Sequence, residues 1–216
     1  LAKLIENETG AEVFVSGDPC YGACDLALYP KQRLDADLLI HLGHAEIPGE
    51  FTEENVLYIE AHADVSIEEP MKAAVRMLER EHVIGLASNI QHIHQIDRAK
   101  EILVSSGKEV LVGRPSGWLK YAGQVLGCDY GSVRAISEKV DAIVVLSGGD
   151  FHALGIPLAT GKRTIVVDPF EETARDMTEV CRKLLRQRWM SISRFKEVEK
   201  VGIILGMKSS QMNIPL

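Results

Sequence analysis

The chain has 216 residues, 46% apolar and 25% charged, with a formal net charge of −7. That composition fits one or two globular domains with ample core material, and the acidic balance argues against a broad nucleic-acid footprint or an anionic membrane surface. No apolar run reaches the roughly 18–20 residues of a membrane span, and no signal segment is read at the start, so a cytoplasmic location with reduced thiols is expected.

LAKLI at 1–5 reads as the tail of a helix already under way. The apolar run at 12–15 predicts a strand that feeds the loop GDPCYGAC at 17–24. In open α/β folds ligands bind where such loops leave the C-terminal edge of the sheet. This loop is rich in turn residues and carries Cys20 and Cys24, two of the four cysteines. A strand at 38–41 leads into HLGH, where His41 and His44 flank a glycine. The pair suits a ligand-binding loop, or one ring can hydrogen-bond backbone to seal a turn. A strand at 57–60 and a helix at 66–81 follow. The next strand, 83–87, runs into Ser88-Asn89, a helix cap pair, ahead of a predicted helix at 90–106. Gln91, His92 and His94 lie at its start, where free N–H groups can hold an anion or face solvent.

After a strand at 110–112 comes a second cysteine loop, GQVLGCDYG at 123–131, with Cys128. A helix at 131–139 and a nearly continuous apolar strand at 142–146 lead to SGGDFH at 147–152. Paired glycines after a strand make a backbone cradle for a polar ligand. Neither the dinucleotide nor the nucleoside-triphosphate glycine pattern is present. Beyond a helix at 152–160, the strand 164–168 ends on Asp168, which can accept from ribose hydroxyls or hold a turn. A helix is predicted over 173–199. Its CRKLLRQRW stretch interleaves basic and apolar residues, as a solvated amphipathic face does. Cys181 on it reads as a packing residue. A buried-strand pattern at 201–205 closes the series and leaves an unfinished α/β unit. Strand–helix alternation with Val/Ile/Leu-rich strands predicts a parallel α/β architecture.

Two cysteines on remote strand-end loops point to a metal or cluster. Structural zinc usually draws on two close ligand pairs, and only Cys20 and Cys24 form one. An iron–sulfur cluster with ligands from separate loops fits better. The usual radical S-adenosylmethionine pattern C-x₃-C-x₂-C fails at Ala27.

YGACD at 21–25, LIHLGHAEIP at 39–48, QHIHQ at 91–95 and GQVLGCDY at 123–130 together resemble the diphthamide synthase family, its archaeal homodimeric form in particular. GGDFHALGIPLATGK at 148–162, VVDPF at 166–170, RQRW at 186–189 and KVGIILGMK at 200–208 extend the resemblance over nearly the whole chain. It implies three Rossmann-like parallel-sheet domains in pseudo-threefold arrangement. These would occupy 1–64, 65–169 and 170–216, the first and last incomplete. Each domain of the family gives one cysteine to a [4Fe–4S] cluster. Cys24 and Cys128 match the first two ligands, Cys20 is a bystander, and Cys181 does not match the third. Tyr21, Gly22 and Ala23 would shape the pocket beside the cluster. His44, Gln91, His152 and Asp168 would line the site for S-adenosylmethionine as cosubstrate.

The implied reaction is reductive cleavage of S-adenosylmethionine. It gives a 3-amino-3-carboxypropyl radical that adds to a histidine of translation elongation factor 2, the first step of diphthamide biosynthesis. A homodimer fed by an unidentified electron donor goes with it. Three rivals are a quinolinate synthase-like cluster enzyme, a support subunit that relays electrons, and a ligand-binding α/β protein with incidental thiols.

Overall fold

Five strands that alternate between two apolar faces organise most of the chain. The structure is a computed structural model and describes residues 1–49 and 54–206. β3 (Val83–Ser88), β5 (Ala142–Leu146) and β6 (Arg163–Asp168) are buried along almost their whole length. They lie side by side and parallel, β4 (Glu109–Val112) pairs parallel on the far side of β3, and β7 (Thr173–Asp176) pairs antiparallel with β6.

The two-residue period of the strands sorts their side chains between two half-cores. Ile84, Leu86, Val144, Leu146, Ile165 and Val167 face Met71, Ala74 and Leu78 of the α3 (Glu68–Met77) region, with Ala99 and Leu103 of α4 (Ile96–Ser105). Ala87, Ile143, Val145 and Val166 face Val133 of α5 (Gly131–Arg134) and Ala153 and Ile156 of α6 (Phe151–Thr160). Ile143 and Ile165 are fully buried, so truncation of either to Ala costs about 2–5 kcal/mol.

A second, two-stranded parallel sheet comes earlier in the chain: β1 (Leu39–Leu42) and β2 (Val56–Ile59). It is preceded by α1 (Ala2–Thr9) and α2 (Leu28–Arg33). The segment after β3 ties this sheet to the larger one. The Gln91 amide Nε2 donates to the Gly43 carbonyl at 2.7 Å, the Ala63 amide donates to the Gln91 carbonyl at 2.8 Å, and the Gln95 Nε2 reaches the Val65 carbonyl at 3.0 Å. Glu60, just past β2, accepts from the Tyr121 hydroxyl at 2.6 Å. The loops at the C-terminal ends of β1, β2 and β3 therefore meet in one region.

The α/β class and the six strands expected between 38 and 168 are present. Four expectations are corrected. Residues 12–15 form no strand: Val15 is 78% exposed, and no neighbour strand pairs there among the described residues. Residues 201–205 form none either, and Ile204 is 98% exposed. An apolar run supplies one edge of a ladder, and the hydrogen bonds need a second. The helix expected over 173–199 is instead β7 followed by α7 (Thr178–Phe195). Glu172, with φ of 52°, turns the chain back so that Thr173 pairs with Asp168. The helix expected over 90–106 begins as a 3₁₀ segment over Ile90–Gln95 before α4. Met207 and Lys208 of the last family-like stretch lie outside the described residues.

Candidate metal centre

The two cysteine loops, one ahead of α2 and one between β4 and α5, approach each other. Cys128 sits on an exposed loop, yet its thiol pKa is pushed up, first by the packing around it and then by the neighbouring Cys24 thiol. Each sulfur thus lies within electrostatic reach of the other, although 24 belongs to the loop before α2 and 128 to the loop before α5. Cys128 in turn pushes up the Tyr130 hydroxyl pKa, second to burial.

Local chemistry shapes both loops. In the first, the Asp25 carboxylate accepts from the Tyr21 amide at 3.0 Å, and the Asp25 amide donates to the Gly22 carbonyl at 2.9 Å. That closes a tight turn with Cys24 inside it. A Cβ added at Gly22 would stand 3.9 Å from the Cys24 Sγ and 4.0 Å from the His44 Nε2. The glycine therefore keeps open the space that the thiol and the imidazole share. In the second loop, Asp129 accepts from the Trp118 amide at 3.0 Å and the Gly131 amide at 2.8 Å. A Cβ at Gly127 would fall 2.4 Å from the Phe151 ring, so the backbone beside Cys128 lies against that ring.

His44 stands at the centre of the group. Gly43, with φ of 86°, turns the chain after β1, and the His44 Nδ1 comes to 3.1 Å from the His41 Nε2. Burial lowers the pKa of both rings, and for His41 the neighbouring His44 lowers it further while Asp25 opposes. His152 is held low by burial and then by His44, so it also faces this region. All three rings therefore stay neutral near pH 7, able to donate at one nitrogen and accept at the other. Gln91 meets the group through backbone: its amide fixes the Gly43 carbonyl and so the turn that aims His44.

Asp168 takes a different place. Its carboxylate accepts from the Gly149 amide at 2.7 Å and from the Phe170 and Glu171 amides at 3.1 and 3.2 Å. Burial works against the charged form, but these N–H groups and then Arg175 hold the carboxyl below its ordinary value. It helps to line an open pocket of about 620 Å³ with Gly148, Gly149, Asp150, Phe170 and Arg175. The two regions come near one another through His92, which is fully buried, packs on the Phe170 ring at 5.4 Å and feels the Asp168 charge. Neither His92 ring nitrogen has a hydrogen-bond partner among the described residues.

Of the residues singled out from sequence, Cys24, Cys128, His44 and His152 are thus brought together, with Gln91 behind His44 and Gly22 and Ala23 in the turn. Tyr21 is largely exposed at the surface of that turn. The sequence singled out His41 and His44 as a pair across a glycine but not their ring-to-ring contact, and it missed Arg175, which bridges Asp150 at 2.8 Å. The H-x-x-H spacing across a glycine was the available signal for the first. Nothing in the letters pairs Arg175 with a residue 25 positions away. Cys181 is buried on α7, as a packing residue is.

Comparison with known proteins gives a consistent answer. The family described as "Putative diphthamide synthesis protein" matches residues 1–216. A curated relative from Pyrococcus horikoshii, 2-(3-amino-3-carboxypropyl)histidine synthase, is 34% identical over 99% of this chain and 61% of its own length. Subunit 1 of the enzyme so named from Kluyveromyces lactis is 27% identical over 99% of this chain and 51% of its own. The crystal structure of Dph2 from Pyrococcus horikoshii with a 4Fe-4S cluster superposes with a TM-score of 0.85 at 32% identity, covering 98% of this chain and 61% of that one. The chain therefore spans about half to three-fifths of the length of the relatives it matches.

Proposed function

The chain belongs to the diphthamide synthesis protein family, and from that premise we propose that Cys24 and Cys128 supply two thiolate ligands of a [4Fe–4S] cluster. The enzyme they serve would transfer a 3-amino-3-carboxypropyl group from S-adenosylmethionine to a histidine of translation elongation factor 2. One observation carries this reading: two thiols from loops far apart in the chain lie close enough to act on each other electrostatically, beside a glycine whose missing Cβ leaves open the space between Cys24 and His44.

The donor set fits such a cluster, since thiolates are its ordinary ligands. When bound, the cluster supplies the electron for reductive cleavage of the sulfonium. This chain's residues do the rest by position. Gly22 and Ala23 let the cosubstrate approach Cys24 without a Cβ at 22 in the way. His44 and His152, neutral through burial, offer hydrogen-bond partners beside the cosubstrate. Gln91 holds the turn that aims His44. Asp168 fixes the Gly149 and Phe170 amides and so shapes the neighbouring pocket, where the remainder of the cosubstrate would rest. The working assembly in this reading is a homodimer that takes its electron from a separate donor.

Anaerobic reconstitution, reduction with dithionite and addition of S-adenosylmethionine and elongation factor 2 test the reading. Methylthioadenosine should form, and the factor should gain the mass of one 3-amino-3-carboxypropyl group on a histidine. Intact S-adenosylmethionine after reduction of a fully loaded cluster would contradict it.

A further inference from the structure

We propose that Cys20, His41 and His44 form a second metal site, for a zinc-class divalent transition ion, distinct from the Cys24–Cys128 pair. One donor atom from each of the three lies within 4.8 Å of the others. The two imidazoles are closest, with His41 Nε2 3.1 Å from His44 Nδ1. Zinc–nitrogen bonds of about 2.0–2.1 Å and zinc–sulfur bonds of about 2.3 Å set tetrahedral donors roughly 3.3–3.7 Å apart. The imidazole pair needs to open by a few tenths of an ångström, and a Cys20 sulfur at the 4.8 Å limit needs to close by about 1 Å.

The framework favours the imidazoles over the thiol as fixed points. His41 lies on β1 and is buried, with the Tyr58 ring edge-on at 5.4 Å. Gly43 then returns His44 onto it. Cys20 sits on the exposed turn ahead of Cys24, its sulfur 3.6 Å from the Gly22 and Asp25 carbonyls. Two imidazoles at the end of β1 and a thiol on the turn that carries Cys24 form a site that joins the sheet to the loop when it binds its ion. One thiolate and two imidazoles select a borderline-soft ion over calcium or magnesium, which prefer oxygen. Three protein ligands leave the fourth position to water.

Binding balances simply. The Cys20 thiol releases its proton, and whichever imidazole donates in the present pair moves that proton to its outer nitrogen. The consequence is structural. Cys20 precedes Cys24 by one turn of chain, so tying it to β1 fixes the loop that presents Cys24. His44 would be the wall between the two sites, with Nδ1 toward the ion and Nε2 on the Cys24 side.

Anaerobic cobalt titration of the Cys24→Ser/Cys128→Ser double variant tests this, because that background cannot report on the cluster. The expected result is one Co²⁺ per chain, with tetrahedral d–d bands and a thiolate-to-cobalt charge-transfer band that zinc displaces. Adding Cys20→Ser should abolish the charge-transfer band, and adding His41→Ala should weaken binding by at least about tenfold. X-ray absorption of the zinc-loaded double variant should read one sulfur and two imidazole nitrogens, a check that needs no further mutation. Absence of tetrahedral bands, or a charge-transfer band that survives Cys20→Ser, would overturn the site and leave the cluster assignment standing.

Discussion

Replacing Gly113 by Ala should destabilise the protein sharply and loosen the Cys128 loop. Gly113 follows β4, and its carbonyl accepts from the Gly123 amide at 2.8 Å. A Cβ there would stand 1.8 Å from the Ser132 carbonyl oxygen and 2.5 Å from its carbon. Both are backbone atoms of α5, and the buried Ser132 hydroxyl is itself bound to the Gln124 carbonyl at 2.6 Å. No flexible side chain can give way. Relief to an ordinary contact needs a shift of more than about 1 Å in a close-packed region. Overpacking of this kind costs about 1–3 kcal/mol where side chains can yield. A clash with backbone belongs at or above the upper end, so we expect a loss of about 3 kcal/mol and a fall in Tm of roughly 6–12 °C. Urea unfolding followed by circular dichroism measures it. Gly202→Ala, with nothing within 4 Å of its added Cβ among the described residues, is the neutral control. Because 113 and 132 bracket the Cys128 loop, reconstituted Gly113→Ala should also retain less iron. A loss below about 1 kcal/mol would refute the close approach.

Tyr121→Phe removes the hydroxyl that donates to Glu60 at 2.6 Å. It should cost about 0.5–1.5 kcal/mol. Burial works against the Glu60 charge while Tyr121 and then Lys120 hold its pKa down, so the variant's Glu60 should titrate higher by NMR; an unmoved titration would count against the contact. Asp168→Asn weakens charge-assisted bonds to three backbone amides and should cost about 1.5–3 kcal/mol at neutral pH. The folded carboxyl lies below its ordinary value of 3.8, so this stability is present above pH 3.8 and is lost as pH falls through the lower, folded value. Urea unfolding should find wild type and variant converging in acid, and a constant gap would be wrong for this account. His92 is lowered from 6.5 by burial and then by His94, so the unfolded chain binds more protons and stability falls as pH drops below 6.5. His92→Leu should reduce that slope by up to about 1.4 kcal/mol per pH unit; an unchanged slope in unfolding between pH 7 and 5 would contradict it.

Much of the fold was legible because burial on both sheet faces writes itself as continuous Val, Ile and Leu. The run AIVVL at 142–146 is the clearest case, and β5 occupies those residues. Where partner strands decide the outcome, the letters mislead. Val13-Phe14-Val15 and Val201–Leu205 carry strand composition but no ladder among the described residues. TARD at 173–176 lacks strand composition yet pairs with β6, because the turn at Glu172 folds it back. The candidate site divides in the same way. Cys24, Cys128, His44 and His152 stood out because loop glycines surrounded them or strand ends preceded them. The approach of 24 to 128, and of His41 to His44, depends on how the small sheet docks against the segment after β3. That docking runs through the Gln91–Gly43 and Tyr121–Glu60 hydrogen bonds, which join residues 48 and 61 positions apart.

The central claim is that Cys24 and Cys128 serve one shared cluster. Iron and acid-labile sulfide measured after anaerobic reconstitution of wild type, Cys24→Ala and Cys128→Ala test it most directly, read beside the reduced-state paramagnetic resonance signal. The account predicts a single cluster signal that either substitution alone removes. Full iron, sulfide and signal in either variant would contradict it.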